Sequence, residues 1–295
     1  MERRTFLTAI GGGAAMAMIA PKLAFAAPGD FGGARFAAAV MAAEGRSGGR
    51  LGVGVLDLAT GRRFAHRGGE RFAMCSTFKF PLSGAALAAV DAGKLRLDRP
   101  VAVPRGPLPG NSPVTEEHKG ESMTVAELCA ATMTRSDNAA ANLLLSLIGG
   151  VGGFNAFVAR LGDRTTRLDR HEPELNTAIH GDARDTTTPD AMLDTMRAML
   201  FGPALSEASR AKLSGWLIAN TTGATRLRAG LPRGWRVGDK TGSGENGTYN
   251  DVAVIWPGAS RRPILVTCYL TGATVPQAAA HAVHADVARA IAAIA

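Results

Sequence analysis

Hydrophobic and polar positions change period twice along this chain. Residues 35–44 are Ala-rich with apolar positions at helical spacing. Leu51-Gly52-Val53-Gly54-Val55-Leu56-Asp57-Leu58 then reads as a strand, which turns at Thr60-Gly61 into extended chain containing Phe64, so that a hairpin follows the helix. From about Phe72 to Ile218 the period is helical, over Ser83–Ala92, Thr124–Thr132, Ala139–Leu147, Gly152–Leu161, Pro189–Leu200 and Glu207–Ile218, with Pro- and Gly-rich connections between them. Past Gly230 strands return at Trp235–Lys240, Asp251–Trp256 and Ile264–Leu270, before an Ala-rich terminal helix from Gln277.

Strands flanking a helical middle predict an α/β fold of the α+β type. Three or four strands from the two chain ends form one antiparallel sheet, because hairpin connections join them. Helices from both termini flank that sheet, and an all-α lobe is inserted. The expected boundaries are residues 27–68 with 219–295 for the α/β part and residues 69–218 for the lobe, with a cleft between the two.

The first 26 residues read as an export signal. Arg3-Arg4-Thr5-Phe6-Leu7 favours the twin-arginine route, an apolar run follows to Ala20, and Ala24-Phe25-Ala26 is a small-x-small cleavage site. The run stops at Pro21-Lys22, short of the ~20 residues that span a bilayer, and no later stretch is long enough to span one. The mature chain is therefore expected in the periplasm and off the membrane. With 295 residues, 46% hydrophobic and 20% charged, it can bury a sizeable core, which excludes disorder.

Lys and Arg number 33 against 25 Asp and Glu, a net +8, of which the signal carries +2 through Arg3, Arg4 and Lys22 against Glu2. Such a charge suits anionic partners, but two Tyr and three Trp give little stacking surface, and the basic residues cluster only around Arg226, Arg228, Arg233 and Arg236. Nucleic acid is not the expected partner. Cys75, Cys129 and Cys268 cannot all pair within one chain. His171-Glu172 continues as Pro173-Glu174-Leu175 and completes no H-E-x-x-H site, while His281 and His284 read as solvated or core-edge residues. No metal or cofactor is expected.

Gly242-Ser243-Gly244-Glu245-Asn246-Gly247 matches a dinucleotide fingerprint by letters, yet a strand follows where that fingerprint needs a helix. Asn246-Gly247 is hairpin-turn chemistry instead. Ser76-Thr77-Phe78-Lys79 places a hydroxyl and an amine on one helical face, so a lysine with a lowered pKa can take the serine's proton. Ser209-Arg210-Ala211-Lys212 repeats the spacing; the first instance differs in following extended Arg71-Phe72-Ala73-Met74 and opening an apolar helix, where backbone N–H groups converge. Ser136-Asp137-Asn138 heads a helix, and Lys240-Thr241-Gly242 ends a strand. In the loop Arg170-His171-Glu172-Pro173-Glu174-Leu175-Asn176, Glu172 and Asn176 could together hold a water.

With these four motifs in order, the chain resembles the class A serine β-lactamases from about Phe31 to the C-terminus. The resemblance implies hydrolysis of penicillins and cephalosporins, hence antibiotic resistance, by a monomer that uses no cofactor. It makes Ser76 the nucleophile, with the N–H groups of Ser76 and Ser243 as oxyanion hole. Lys79, or Glu172 through water, accepts the Ser76 proton. Ser136, held by Lys79 and Lys240, passes a proton to the lactam nitrogen. Asn138 binds the substrate's amide side chain, and Glu172 with Asn176 activates the deacylating water.

The substrate carboxylate falls to Lys240, Thr241, Gly242 and Ser243 on one strand edge, with Arg226, since Tyr249 stands where many members carry an arginine. Arg170 and Asp185 clamp the glutamate loop, and the Glu172–Pro173 peptide is cis. The chain departs from the commoner pattern at Asn111, which replaces an aromatic wall of the cleft, and at His171, which replaces a Trp. Cys75 and Cys129 match family cysteines whose partners are here Gly244 and Ser83. The alternatives are a cell-wall DD-peptidase, which shares the three triplets but lacks the glutamate loop, and a penicillin-sensing domain that is acylated and stays acylated.

Overall fold

The computed structural model describes residues 1, 30–258 and 261–295. The expected signal and its cleavage site lie outside the described residues, Met1 apart.

Helix α1 (Gly33–Ser47) buries Phe36, Val40, Ala43 and Ser47, one stripe at helical spacing, and ends at Gly48 with φ 64°. Strand β1 (Arg50–Asp57) is buried on both faces. Its Leu51, Val53 and Val55 join the core beneath the terminal helices. Gly52 and Gly54 face the other way, where a Cβ would stand 2.4 Å from the Phe72 ring and 2.7 Å from Thr267 Oγ1. The alternating glycines thus let the helical lobe pack directly onto the strand. Beyond Gly61, at φ 73°, the extended chain around Phe64 becomes β2 (Arg63–His66).

The lobe runs through β3 (Phe72–Ala73), α2 (Lys79–Asp91), β4 (Pro100–Ala102), β5 (Ser122–Thr124), α3 (Val125–Thr134), α4 (Asn138–Leu147), α5 (Gly150–Arg160), β6 (Thr186–Thr187), α6 (Pro189–Phe201) and α7 (Glu207–Ile218). Helix α2 begins four residues before the expected Ser83, because a 3₁₀ turn over Cys75–Phe78 leads into it and Pro81 falls in its first turn, where proline is tolerated. Every residue from Lys79 to Leu87 is buried, so α2 is the lobe's central helix. Thr124 caps α3 through a capping box with Glu127.

Strands β7 (Arg236–Gly244), β8 (Thr248–Trp256) and β9 (Ile264–Thr271) precede α8 (Gln277–Ala292). The sheet has five antiparallel strands in the order β2-β1-β9-β8-β7, not three or four, since the Phe64 segment pairs with β1. Asn246 and Gly247 both have positive φ, as a tight hairpin between β7 and β8 requires. Lys240-Thr241-Gly242 lies inside β7 rather than at its end, because pairing with β8 continues to Gly244. As the sheet's edge strand, β7 presents one side to the lobe. Among the described residues no single helix is long and apolar enough to cross a membrane.

Candidate active site

Strand β7 meets the lobe at the Cys75–Phe78 turn. A Cβ on Gly242 would lie 2.8 Å from Met74 O and 3.2 Å from Ser76 N, so only glycine permits this approach. Cys75 has φ 44°, and Ser76 and Lys79 follow at the head of α2. Lys79 Nζ is buried against Ser76 Oγ at 2.9 Å, Ser136 O at 2.7 Å, Asn138 Oδ1 at 2.5 Å and Glu172 Oε1 at 2.9 Å, with Ser136 Oγ at 3.4 Å. Burial pushes its pKa down, while Glu172 opposes that shift.

Ser136, at φ 56°, turns into α4, whose cap Asp137 is buried and accepts from the N–H groups of Val114, Thr115 and Ala140. That pin sets Ser136 Oγ 3.0 Å from Lys240 Nζ, which also donates to Thr241 O at 2.8 Å. Burial drives the Lys240 ammonium well below its ordinary pKa, helped by the cations of Lys79 and Arg226. Ser136 thus stands between two lysines whose surroundings disfavour charge.

Glu172 enters from the loop between α5 and β6. Asn142 of α4 clamps its backbone, donating to Glu172 O at 2.9 Å and accepting from Glu172 N at 3.0 Å. The Glu172–Pro173 peptide is cis, the isomer the resemblance implied. Glu172 Oε1 accepts from Lys79 and, at 3.4 Å, from Ser76 Oγ; Oε2 accepts from Asn176 Nδ2 at 2.5 Å. Asn176 Oδ1 is buried with no partner among the described residues. At the loop's base Asp185 accepts from Asp169 N, Arg170 N and Arg170 Nε at 2.7, 2.9 and 2.6 Å, while its carbonyl accepts from Met74 N at 2.8 Å. The Asp185 carboxylate therefore ties the loop's two ends together, and its backbone carbonyl ties them to the Ser76 segment.

Arg226 is buried, 4% exposed, and braced against β7. Its Nη1 donates to Gly242 O at 2.7 Å and Asn250 O at 2.5 Å, and its Nη2 to Ser243 Oγ at 2.5 Å. Arg228, from the same basic cluster, pairs with buried Asp239. Two of the four clustered arginines are thus engaged with the protein's own groups rather than forming an exposed basic patch. Thr241 Oγ1 lies 2.5 Å from Thr222 Oγ1.

Of the two histidines near the C-terminus, His281 sits at the core edge and only His284 lies inside the core. His284 is fully buried between Ala280 O and Tyr249 O, and burial pushes its pKa down to about 3. His281 Nε2 lies 3.2 Å from Arg226 Nη2, and burial with that cation pushes its pKa down to about 4. A guanidinium only donates, so Nε2 accepts and Nδ1 carries the proton, facing Thr225 Oγ1 at 2.9 Å. Its spacing on α8 held no sign of this contact, because Arg226 is distant in sequence.

All three cysteines are free and buried, and burial raises the Cys75 and Cys129 thiols to about 12. A Cβ on Gly244 would stand 2.6 Å from Cys75 Sγ, so the thiol fills the space a partner cysteine would occupy. Asn111 is exposed at φ 61°, and its amide turns inward, Nδ2 donating to Ser136 O at 3.0 Å.

An antiparallel sheet with an inserted helical lobe, meeting at a buried serine–lysine–glutamate centre, defines a serine hydrolase. The chain belongs to the β-lactamase enzyme family, which matches residues 35–294, and within it to class A. It is 50% identical to the β-lactamase CTX-M-8 of Citrobacter amalonaticus over 230 residues, 78% of this chain and 79% of that one. It is 45% identical to the β-lactamase L2 of Stenotrophomonas maltophilia over 281 residues, 93% of each chain. Among solved structures, the reconstructed last common ancestor of Gram-negative class A β-lactamases superposes with a TM-score of 0.86 at 60% identity, over 88% of this chain and 99% of that one.

Proposed function

We propose that this enzyme hydrolyses penicillins and cephalosporins through an ester on Ser76, which water activated by Glu172 then releases. The observation that carries this reading is Glu172 itself: one carboxylate oxygen reaches both Ser76 and Lys79, and the other engages Asn176. Ser76 Oγ attacks the lactam carbonyl and gives its proton to Lys79, or through water to Glu172. The N–H groups of Ser76 and Ser243 receive the oxyanion. Ser136 protonates the departing ring nitrogen and is resupplied by the neighbouring lysines. Asn138 meets the acylamide side chain, and Lys240, Thr241, Ser243 and Arg226 meet the carboxylate, with Gly242 allowing the close approach. Glu172 and Asn176 then hold the water that hydrolyses the ester.

The same reading divides the chain into residues 27–68 with 219–295 and residues 69–218. It takes the mature protein to the periplasm as a monomer after removal of residues 1–26, the paired Arg3-Arg4 being the argument for the twin-arginine route. Purified protein incubated with a chromogenic cephalosporin is expected to release many products per enzyme. A single stoichiometric burst would overturn the proposal in favour of a sensor, and cleavage of a D-Ala-D-Ala peptide without lactam turnover in favour of a peptidase.

Asp185→Asn is expected to slow deacylation by about 10- to 100-fold, the effect of displacing a catalytic group by about an ångström, while Ser76 still labels. The amide keeps Asp185's shape but loses the charge facing Arg170 and turns an NH₂ toward it. Pre-steady-state burst kinetics check this, and an unchanged steady-state rate would refute it.

A further inference from the structure

The Lys79 ammonium has three protons to share among five oxygen acceptors, two of them from Ser136. The nearer of these two, the Ser136 carbonyl, also receives Asn111 Nδ2 at 3.0 Å. Asn111 grips the same turn a second time, its own carbonyl accepting from Asn138 N at 3.0 Å. Both Asn111 and Ser136 have positive φ, 61° and 56°, a region that asparagine adopts more readily than most residues.

We infer that Asn111 is a positioning residue for acylation: its amide fixes the Ser136 carbonyl, and through it the Ser136 hydroxyl and the direction of the Lys79 ammonium. A carbonyl offers two lone pairs. With Asn111 on one, a single lone pair remains for Lys79, whose other protons are turned toward Ser76, Asn138 and Glu172. The inference rests on the roles proposed above for Ser136 and Lys79. It gives Asn111 a different task from the aromatic wall it replaces, since the side chain reaches into the catalytic turn. Charged and titratable groups facing Lys79 come from every side: Glu172 from its loop, Asp137 from the head of α4, Lys240 from β7 and Cys75 from the preceding turn. Asn111 adds no charge to that set, whereas an aspartate there would.

Single-turnover stopped-flow kinetics on the full-length enzyme test this, with Asn111→Gly run beside Asn111→Ala because glycine adopts φ 61° without strain and is expected to show the same loss. Asn111→Ala is expected to lower the acylation rate about fivefold, the weight of one neutral hydrogen bond, with substrate Kd changed by less than about twofold. Asn111→Asp keeps the shape, loses the donor and adds an anion, so the limb of the pH–rate profile that reports Lys79 moves to higher pH. Movement of the acid limb identifies Lys79 as the base that accepts the Ser76 proton, and movement of the alkaline limb identifies Glu172. An unchanged acylation rate in Asn111→Ala, a change in Kd alone, or an unmoved profile in Asn111→Asp would overturn the inference. Ser136→Ala separates it from the underlying reading: if that variant acylates normally, the role of Ser136 is wrong, whatever Asn111 does.

Discussion

Glu172→Ala is expected to react once with a penicillin and stall, with mass spectrometry showing a Ser76 adduct heavier by one whole lactam, because ring opening expels no fragment. Among the described residues, Glu172 is the one carboxylate that contacts both Ser76 and Lys79. Deleting it removes the group poised to take a proton from the deacylating water, and such bases contribute about 10²–10⁴-fold. Acylation survives for an electrostatic reason. The Glu172 charge is the leading influence opposing the burial-driven fall of the Lys79 pKa, so without it that pKa falls further and the amine can still accept the Ser76 proton. Clearance of the adduct at the parent rate would place water activation elsewhere, and absence of any adduct would make Glu172 the acylation base.

Ordered motifs made the centre of this site legible in the sequence because each is local. Ser76 and Lys79 are three residues apart on one helical turn, Ser136-Asp137-Asn138 needs only a helix cap, and Glu172 and Asn176 share one short turn. The helical lobe was equally legible, since its apolar positions keep one period. Contacts made across the sheet were not. The hairpin that returns through Phe64 was legible from its turn, but that its short, half-polar arm counts as a fifth strand of the sheet was not. Lys240-Thr241-Gly242 extends into β7 because β8 continues to pair with it past the hydrophobic run. The resemblance put Arg226 beside the Lys240–Ser243 strand edge, but its burial and its contact with His281 became legible only in the folded chain. Asn111 read as a vacant wall position because nothing in Asn111-Ser112-Pro113 shows that its amide faces Ser136, 25 residues later.

Arg226→Ala is expected to weaken both substrate binding and the fold. The guanidinium's hydrogen bonds to Ser243 Oγ and Gly242 O set its charge beside the strand edge proposed to take the substrate carboxylate. Loss of a charge-assisted contact there raises KM about 10- to 100-fold. A substrate whose carboxylate is masked as a methyl ester should lose far less, which separates charge recognition from general damage. Stability falls as well, on the order of 2 kcal/mol, because the carbonyls of Gly242 and Asn250 lose a buried donor.

The pH dependence of that loss follows from Asp251. Burial and the nearby Asp239 raise its pKa well above 3.8, and Arg226 is the leading cation holding it down. Without Arg226 the folded pKa rises further. A folded carboxyl that binds its proton more tightly than the unfolded one makes stability fall as pH rises from 3.8 through the raised value. Arg226→Ala should therefore be closer to the parent in urea unfolding at pH 5 than at pH 8. A deficit equal at both pH values would mean that Asp251 does not feel the loss of Arg226.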